Sequence, residues 1–282
     1  MNTFLFFGLF VLLSIIFYRA YQNTHDMTVN VIKPAKVNLQ DEREISVLQI
    51  SDMHLENISI TPETLYKTLK HEQIDLIALT GDFLDRKRSI PKLIPYLKLF
   101  QKLNPTYGTF AVFGNHDYVL KGENFNLLKR TLISYGCKVM QNEKDYISVN
   151  GTKVAIVGID DFSTDKSDLA RSFEGLQEGY RLVLTHDPNI VLTMKDYKYD
   201  YLLSGHFHGG QIHWPKPFHL IKMGKLVSMN MVKGLHEYDG RPFYISEGLG
   251  QTGLNIRLGS RPEITIHKLG IPAKEKQKSV AI

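Results

Sequence analysis

The sequence predicts an α/β fold, on three observations. Over the first half of the chain, short apolar runs alternate with segments of helical spacing, and shorter strand candidates follow in the second half. Five apolar runs end directly in a turn that carries Asp, His or Asn. Because ligands of open α/β sheets bind beyond the carboxyl ends of the strands, these five turns are expected to meet at one rim.

The elements of the first half are predicted from apolar spacing and from prolines. Two of the three helix candidates begin with proline, which the first turn of a helix tolerates. Each strand candidate runs into a polar turn. In chain order, the elements are strand 45–50, helix 62–72, strand 75–80, helix 91–103, strand 108–113 and helix 125–135.

The second half is predicted to contain short strands. Asn150-Gly151 marks a tight hairpin, because both residues accept the positive φ of a type I′ turn, and its strands are 146–149 and 154–157. Without an internal repeat or a second boundary, residues 44–272 are predicted to form one domain. The remaining strand candidates are 180–185, 201–204, 243–246, 255–258 and 263–267.

The five turns carry residue types that bind metal ions. Residues two apart in extended backbone point to the same side, so an Asp-x-His or His-x-His turn can direct both side chains at one cation. Taken singly, an Asp-x-His triplet is typical of a surface turn, and the set is therefore more informative than any member. The motifs are Asp52-Met53-His54, Gly81-Asp82-Phe83-Leu84-Asp85, Gly114-Asn115-His116-Asp117, Thr185-His186-Asp187 and Gly205-His206-Phe207-His208.

In this order, the five motifs resemble those of the calcineurin-like metallophosphoesterase superfamily, and all five are intact. Residues 246–264 resemble the bacterial branch that includes YkuE and YaeI. The resemblance implies a four-layer αββα fold, in which helices flank two packed mixed β-sheets. It also implies a metal-dependent phosphoesterase that acts on a phosphoester substrate.

The resemblance further implies two divalent cations that share the carboxylate of Asp82. A bridging role suits a carboxylate because it has two oxygens, whereas an imidazole nitrogen offers one lone pair. Ligands with nitrogen and oxygen but no sulfur favour Mn, Fe or Zn over Ca, with Mn preferred, and the single Cys137 cannot form a thiolate cluster. The two implied ligand sets are Asp52, His54, Asp82 and His208 on one cation, and Asp82, Asn115, His186 and His206 on the other.

His116 and Asp85 are the predicted catalytic residues. The resemblance implies that His116 faces the substrate, where it stabilises the phosphoryl group or protonates the leaving oxygen. Asp85 would hold the other ring nitrogen, raising the pKa of the imidazole against the opposite effect of the cations. Arg86 is a candidate for either a phosphate contact or an ordinary salt bridge, and Trp214 and Phe218 for either a substrate pocket or packing.

Residues 1–22 are predicted to be an N-terminal membrane anchor and residues 23–43 a linker. A helix over this apolar segment would span about 30 Å, which matches the hydrocarbon layer of a bilayer. A cleaved signal peptide is the alternative. It would need a basic residue before the apolar run and small residues at a cleavage site, and the sequence has neither. Arg19 and later basic residues favour a cytoplasmic catalytic body on a single-pass cell-membrane protein.

The net charge of +5 does not by itself indicate nucleic-acid binding. Residues 273–282 are predicted to form a loose basic tail, in which three lysines accompany one acidic residue, so part of the excess charge is solvated. No nucleic-acid partner is expected, and the oligomeric state is left open.

The resulting hypothesis is a membrane-anchored phosphohydrolase that cleaves phosphodiester or pyrophosphate bonds. Relatives of this branch that cleave the pyrophosphate of nucleotide-linked lipid precursors point to a lipid-linked substrate. A phosphomonoesterase is one alternative. A non-catalytic metal-binding scaffold is another, and the intact motif set argues against it.

Overall fold

A computed structural model describes residues 2–34, 42–213, 217, 220 and 222–272. The predicted basic tail at 273–282 and the candidate pocket residues Trp214 and Phe218 lie outside these ranges. The helices are α1 Asn2–Gln22, α2 Pro62–Leu69, α3 Ile90–Leu103, α4 Glu123–Ser134, α5 Leu169–Phe173 and α6 Lys225–Ser228. The strands are β1 Thr28–Ile32, β2 Glu42–Ile50, β3 Leu76–Thr80, β4 Thr109–Val112, β5 Cys137–Val139, β6 Glu143–Val149, β7 Thr152–Gly158, β8 Tyr180–Leu184, β9 Tyr201–Ser204, β10 Gly234–Tyr238, β11 Arg241–Ile245 and β12 Glu263–Pro272.

The strands form two six-stranded mixed sheets. The first has the order β1-β12-β2-β3-β4-β5 and is parallel except between β12 and β2. The second has the order β10-β11-β9-β8-β7-β6 and is antiparallel only at its two outer pairs. The strands that precede the five polar turns are therefore parallel neighbours at the centre of each sheet.

Three apolar clusters divide the body into four layers. Side chains such as Val47 and Phe110 of the first sheet pack against Ile156 and Leu203 of the second, which forms the core between the sheets. Helices α2, α3 and α4 cover the outer face of the first sheet. The outer face of the second sheet packs against the segment 190–194 and α6. The predicted α/β, four-layer αββα fold is confirmed.

Local sequence signals explain several element ends. Thr61 caps α2 by accepting a hydrogen bond from the Thr64 backbone N–H (3.2 Å), and Pro62 occupies the first turn. The Asn150-Gly151 hairpin adopts φ of 50° and 79°, as a type I′ turn requires. Residues 28–32, inside the segment predicted as a linker, form β1 and pair with β12.

One predicted strand is wrong. Residues 255–258 form no strand, and only Leu258 makes an isolated bridge, to Ile212. The cause is Arg257, which is fully buried and donates to the backbone carbonyls of the loop 247–250 and of Arg261. The Arg257 N–H donates to the Ala20 carbonyl at the end of α1, and the Arg257 carbonyl accepts from the Asn23 amide. These hydrogen bonds take the place of pairing with a neighbouring strand.

Helix α1 is long and apolar enough to cross a membrane, a test that a signal sequence also passes. Most of its apolar side chains are exposed, including Phe4, Phe7 and Phe10. Its end is attached to the body, since Ala20 is buried and its carbonyl accepts from the Arg257 N–H at 2.8 Å.

Candidate metal centre

All nine predicted site residues lie at one rim of the two-sheet body. Residues of the first sheet follow the carboxyl ends of β2, β3 and β4, and those of the second follow β8 and β9. Two hydrogen bonds join the sheets at this level. The His186 Nδ1–H donates to the Thr80 carbonyl (2.8 Å), and the buried Gln49 amide donates to the Ser204 carbonyl (2.9 Å).

One half of the centre contains His54, His208 and Asp52. The Nε2 atoms of the two histidines lie 3.1 Å apart, and Asp52 Oδ1 lies 3.3 Å from His208 Nε2. All three side chains are buried. Ligand atoms of these residues lie within 4.8 Å of one another, as a single cation requires.

The other half contains His186 and His206. His186 Nε2 lies 3.2 Å from His206 Nδ1. Asp82 Oδ2 lies 3.0 Å from His186 Nε2 and 3.5 Å from His54 Nε2, so this carboxylate is situated between the two histidine pairs. Its other oxygen accepts from the His116 backbone N–H at 2.8 Å.

The donor set fits metal ions on three counts. Two nitrogens 3.1–3.2 Å apart can both reach a cation at the usual distance of about 2.1 Å. Nδ1 of His186 and of His208 faces a backbone carbonyl, which leaves Nε2 with its lone pair towards the centre, as in metal-binding histidines. Asn115 Oδ1 is buried and has no hydrogen-bond partner among the described residues, which suits a metal ligand.

The electrostatics of the histidine pairs also indicate sites for positive charge. Burial lowers the pKa of His54, but hydrogen bonds to Asp82 and Asp85 outweigh it and raise this pKa to about 10. Burial and the neighbouring His54 hold the pKa of His208 well below its usual value. In the second pair, the pKa of His186 is raised by Asp82 and Asp52 against burial, and that of His206 is lowered by burial and His186. Each pair therefore favours one positive charge.

His116 and Asp85 form a contact beside these pairs. His116 Nδ1 lies 2.8 Å from Asp85 Oδ1, and the two side chains are 30% and 37% exposed, so substrate can reach them. Burial lowers the pKa of His116, but the Asp85 hydrogen bond and the Asp82 charge outweigh burial, so the pKa is raised above its usual value. The Arg86 side chain is exposed, and it forms no ion pair with any residue that the structure describes.

Glycines leave room for the carboxylates. A Cβ on Gly114 would overlap Asp82 Oδ1 and lie 2.7 Å from the His186 ring. A Cβ on Gly205 would overlap the carboxylate of Asp52. The backbone at both positions lies so close to a candidate ligand that no side chain fits. This explains why glycine stands at these positions of the turn motifs.

No role for Asp117 follows from the sequence, and in the structure this residue is fully buried behind the site. Its Oδ2 accepts from the N–H groups of Asp82 (2.9 Å) and Gly114 (3.0 Å), and its Oδ1 from those of Phe83 (2.8 Å) and Leu84 (3.3 Å). Burial and the Asp82 charge raise the pKa of Asp117 to about 7, against these N–H groups. Asp117 thus joins the two loops that carry Asp82 and Asn115. Its position in the Gly-Asn-His-Asp motif was the only available signal.

Arg257 supports the opposite side of the site. Its guanidinium donates to the Gly250 carbonyl at 2.7 Å, and the same carbonyl accepts from His208 Nδ1 at 3.3 Å. Burial lowers the pKa of Arg257 to about 10, so it remains charged at neutral pH. Arg257 belongs to the stretch 246–264 that resembles the bacterial branch, and no sequence signal indicates that it is buried.

The profile of the calcineurin-like phosphoesterase family matches residues 45–210, more than half of the 282-residue chain. The chain is 61% identical over 253 residues to the metallophosphoesterase YkoQ of Bacillus subtilis, covering 89% of this chain and 94% of that protein. It is 29% identical over 229 residues to the phosphodiesterase YaeI of Escherichia coli, covering 79% and 81%. It is 27% identical over 277 residues to the UDP-2,3-diacylglucosamine pyrophosphatase LpxG of Chlamydia muridarum, covering 79% and 82%. The chain therefore belongs to the calcineurin-like phosphoesterase family and is a metal-dependent phosphoester hydrolase.

Proposed function

We propose that the protein is a membrane-anchored binuclear-metal phosphohydrolase that cleaves phosphodiester or pyrophosphate bonds of a lipid-linked substrate. One observation carries the binuclear assignment. A single oxygen of Asp82 lies 3.0 Å from one histidine pair and 3.5 Å from the other, as a bridging carboxylate would. Ligands on both sides of one carboxylate support two cations rather than one.

The proposed ligands divide as the motifs imply. Asp52, His54 and His208 would complete one site, and Asn115, His186 and His206 the other, with Asp82 common to both. When bound, two such cations supply hydroxide near neutral pH and polarise phosphoryl oxygens. Mn, Fe or Zn suits these nitrogen and oxygen donors, and we favour Mn.

His116 is the proposed catalytic side chain. Asp85 accepts from its Nδ1–H, which fixes the ring and leaves Nε2 as the atom directed to substrate. The Asp85 hydrogen bond, which raises the pKa of His116, favours a protonated Nε2 that can donate to a phosphoryl oxygen or to the leaving oxygen. Asp85 acts as a positioning residue through this ring.

Two observations support a lipid-linked substrate at a membrane. The relative LpxG bears the name of an enzyme that acts on a diacylated nucleotide sugar. Helix α1 is apolar, exposed and attached to the body at Ala20, as a membrane anchor would be. An anchor would hold the rim close to such a substrate and raise its local concentration.

The test uses the purified full-length protein. We expect two metal ions per chain, loss of activity on chelation and recovery with Mn. Turnover should be faster with a nucleoside-diphosphate diacyl sugar and with bis(4-nitrophenyl) phosphate than with 4-nitrophenyl phosphate. Full activity with one metal ion per chain would refute the binuclear assignment, and faster monoester hydrolysis would favour a phosphomonoesterase.

A further inference from the structure

An apolar groove of about 670 Å³ separates α1 from the body. This volume is within the usual range of ligand-binding clefts, and the groove is open along one side. No acidic or basic side chain lines it among the residues that the structure describes. Residues on the helix side include Leu13, Ser14 and Phe17, and the body side consists of Ile212, Ile256 and Leu258.

The carboxyl-terminal end of α1 is attached to the body. The Arg257 N–H donates to the Ala20 carbonyl (2.8 Å), and the Asn23 amide donates back to the Arg257 carbonyl (2.9 Å). Thr24 is fully buried, and its hydroxyl lies 2.7 Å from that of Ser59. These contacts fix the carboxyl-terminal end of α1 against the body, and the groove lies between the preceding turns of the helix and the body.

The groove and the metal-site cleft share a wall. Gln211 lines the cleft together with His206, His208 and Thr252, and the next residue, Ile212, lines the groove. The Gln211 carbonyl accepts from the Leu258 N–H (2.8 Å), and Leu258 lines the groove as well. The cleft itself has apolar residues on one side, including Leu220 and Met223.

We propose that this groove binds one acyl chain of the lipid-linked substrate and so directs the phosphate group to the metal-site cleft. The proposal rests on the proposed function. The groove follows α1 from Phe10 to Tyr21, about 18 Å at the rise of an α-helix, and this stretch belongs to the candidate membrane span. Ile212 of the groove follows Gln211 of the cleft directly, so a hydrocarbon chain held along α1 would lie beside the cleft. The absence of charged lining residues favours a hydrocarbon chain over a polar partner.

The experiment measures kcat/KM for alkyl 4-nitrophenyl phosphates from ethyl to octyl, below their micelle concentrations. Full-length protein in phosphatidylcholine nanodiscs is compared with two groove variants, Ser14→Phe, which fills the groove, and Ile212→Ser, which weakens its wall. Leu235→Ser is the matched control, because Leu235 is 41% exposed on β10 and Ile212 is 36% exposed. Each methylene buried should raise kcat/KM about fourfold, so partial burial of the chain gives at least a tenfold rise for the natural sequence.

Both groove variants should lose most of that rise and retain the rate on the ethyl ester, whereas Leu235→Ser should keep it. An equal rise in all four proteins would overturn the acyl-chain assignment and leave the phosphohydrolase proposal intact. Absence of chelation-sensitive hydrolysis of the ethyl ester would instead overturn the proposed function. Sedimentation gives the mass of each variant. A groove variant with a changed mass but an unchanged dependence of kcat/KM on chain length would indicate that the groove binds a second copy of the chain, and it would refute the inference.

Discussion

Asp117→Asn tests whether one buried carboxylate holds the two central ligand loops together. The native side chain accepts four backbone hydrogen bonds, two on each oxygen. An amide of the same shape keeps one oxygen and turns an NH₂ group towards two N–H donors, whichever way it is oriented. Two hydrogen bonds to a charged acceptor are lost, at roughly 1.5–3 kcal/mol each. A neutral side chain also relieves the burial and the Asp82 repulsion that raise the pKa of Asp117, so the net fall in the free energy of unfolding should be smaller, about 1–3 kcal/mol.

The assay is urea unfolding of the metal-free protein at pH 8, where Asp117 is ionised because its pKa is raised to about 7. Asp168→Asn is the control, since Asp168 accepts one backbone N–H, from Arg171, at an exposed helix start where Asn caps equally well. Calorimetry should also show weaker Mn binding by Asp117→Asn, because Asp82 and Asn115 lose their common support. A loss of unfolding free energy below 1 kcal/mol, or unchanged Mn affinity, would refute this reasoning.

Three further changes probe the proposed metal ligands, the proposed general acid and the buried core. Asp82→Asn should release both metal ions together, and metal analysis that finds one tightly held ion would contradict a bridging role. His116→Ala should retain the metal ions and lose roughly 10²–10⁴-fold in rate on esters with poor leaving groups. The loss should shrink with nitrophenolate, and an equal loss across leaving groups would indicate a purely electrostatic role. His267 is fully buried, and burial lowers its pKa to about 3. Because its folded pKa lies below its unfolded pKa, the unfolding free energy should fall by about 1.4 kcal/mol per unit as the pH falls from 6.5 towards 3, and urea titrations of His267→Gln should show a shallower slope.

The central parallel strands could be predicted because their sequences are continuous apolar runs that end in polar turns. The parts that were missed lack this signal. Strand β1 is short and its Val29 and Val31 are exposed, and its Asn30 donates to Glu263, a partner 233 residues away. Residues 255–258 carry an apolar pattern, but their apolar side chains line the groove beside α1 instead of a sheet. In both cases, contacts with residues far away in the chain determine whether a strand forms, and no local sequence pattern encodes such contacts.

The candidate ligands could be predicted from motif order, because one rim collects every turn that follows a central strand. Their supports could not. Asp117 acts on backbone N–H groups up to 35 residues away, and Arg257 acts on carbonyls that any sequence would supply. A side chain that binds backbone groups has no partner residue type, so its role becomes visible only in the folded chain.

These supports explain how the site tolerates an unfavourable backbone. Five of the seven candidate ligands have positive φ, a region that costs residues other than glycine on the order of 1 kcal/mol or more each. They are Asp52 (50°), His54 (38°), Asp82 (54°), His206 (77°) and His208 (50°). Asp117 and Arg257 hold the loops on either side with four hydrogen bonds each, which offsets part of this strain. These hydrogen bonds order the candidate ligand loops, so less of the free energy of metal binding would be lost in ordering them.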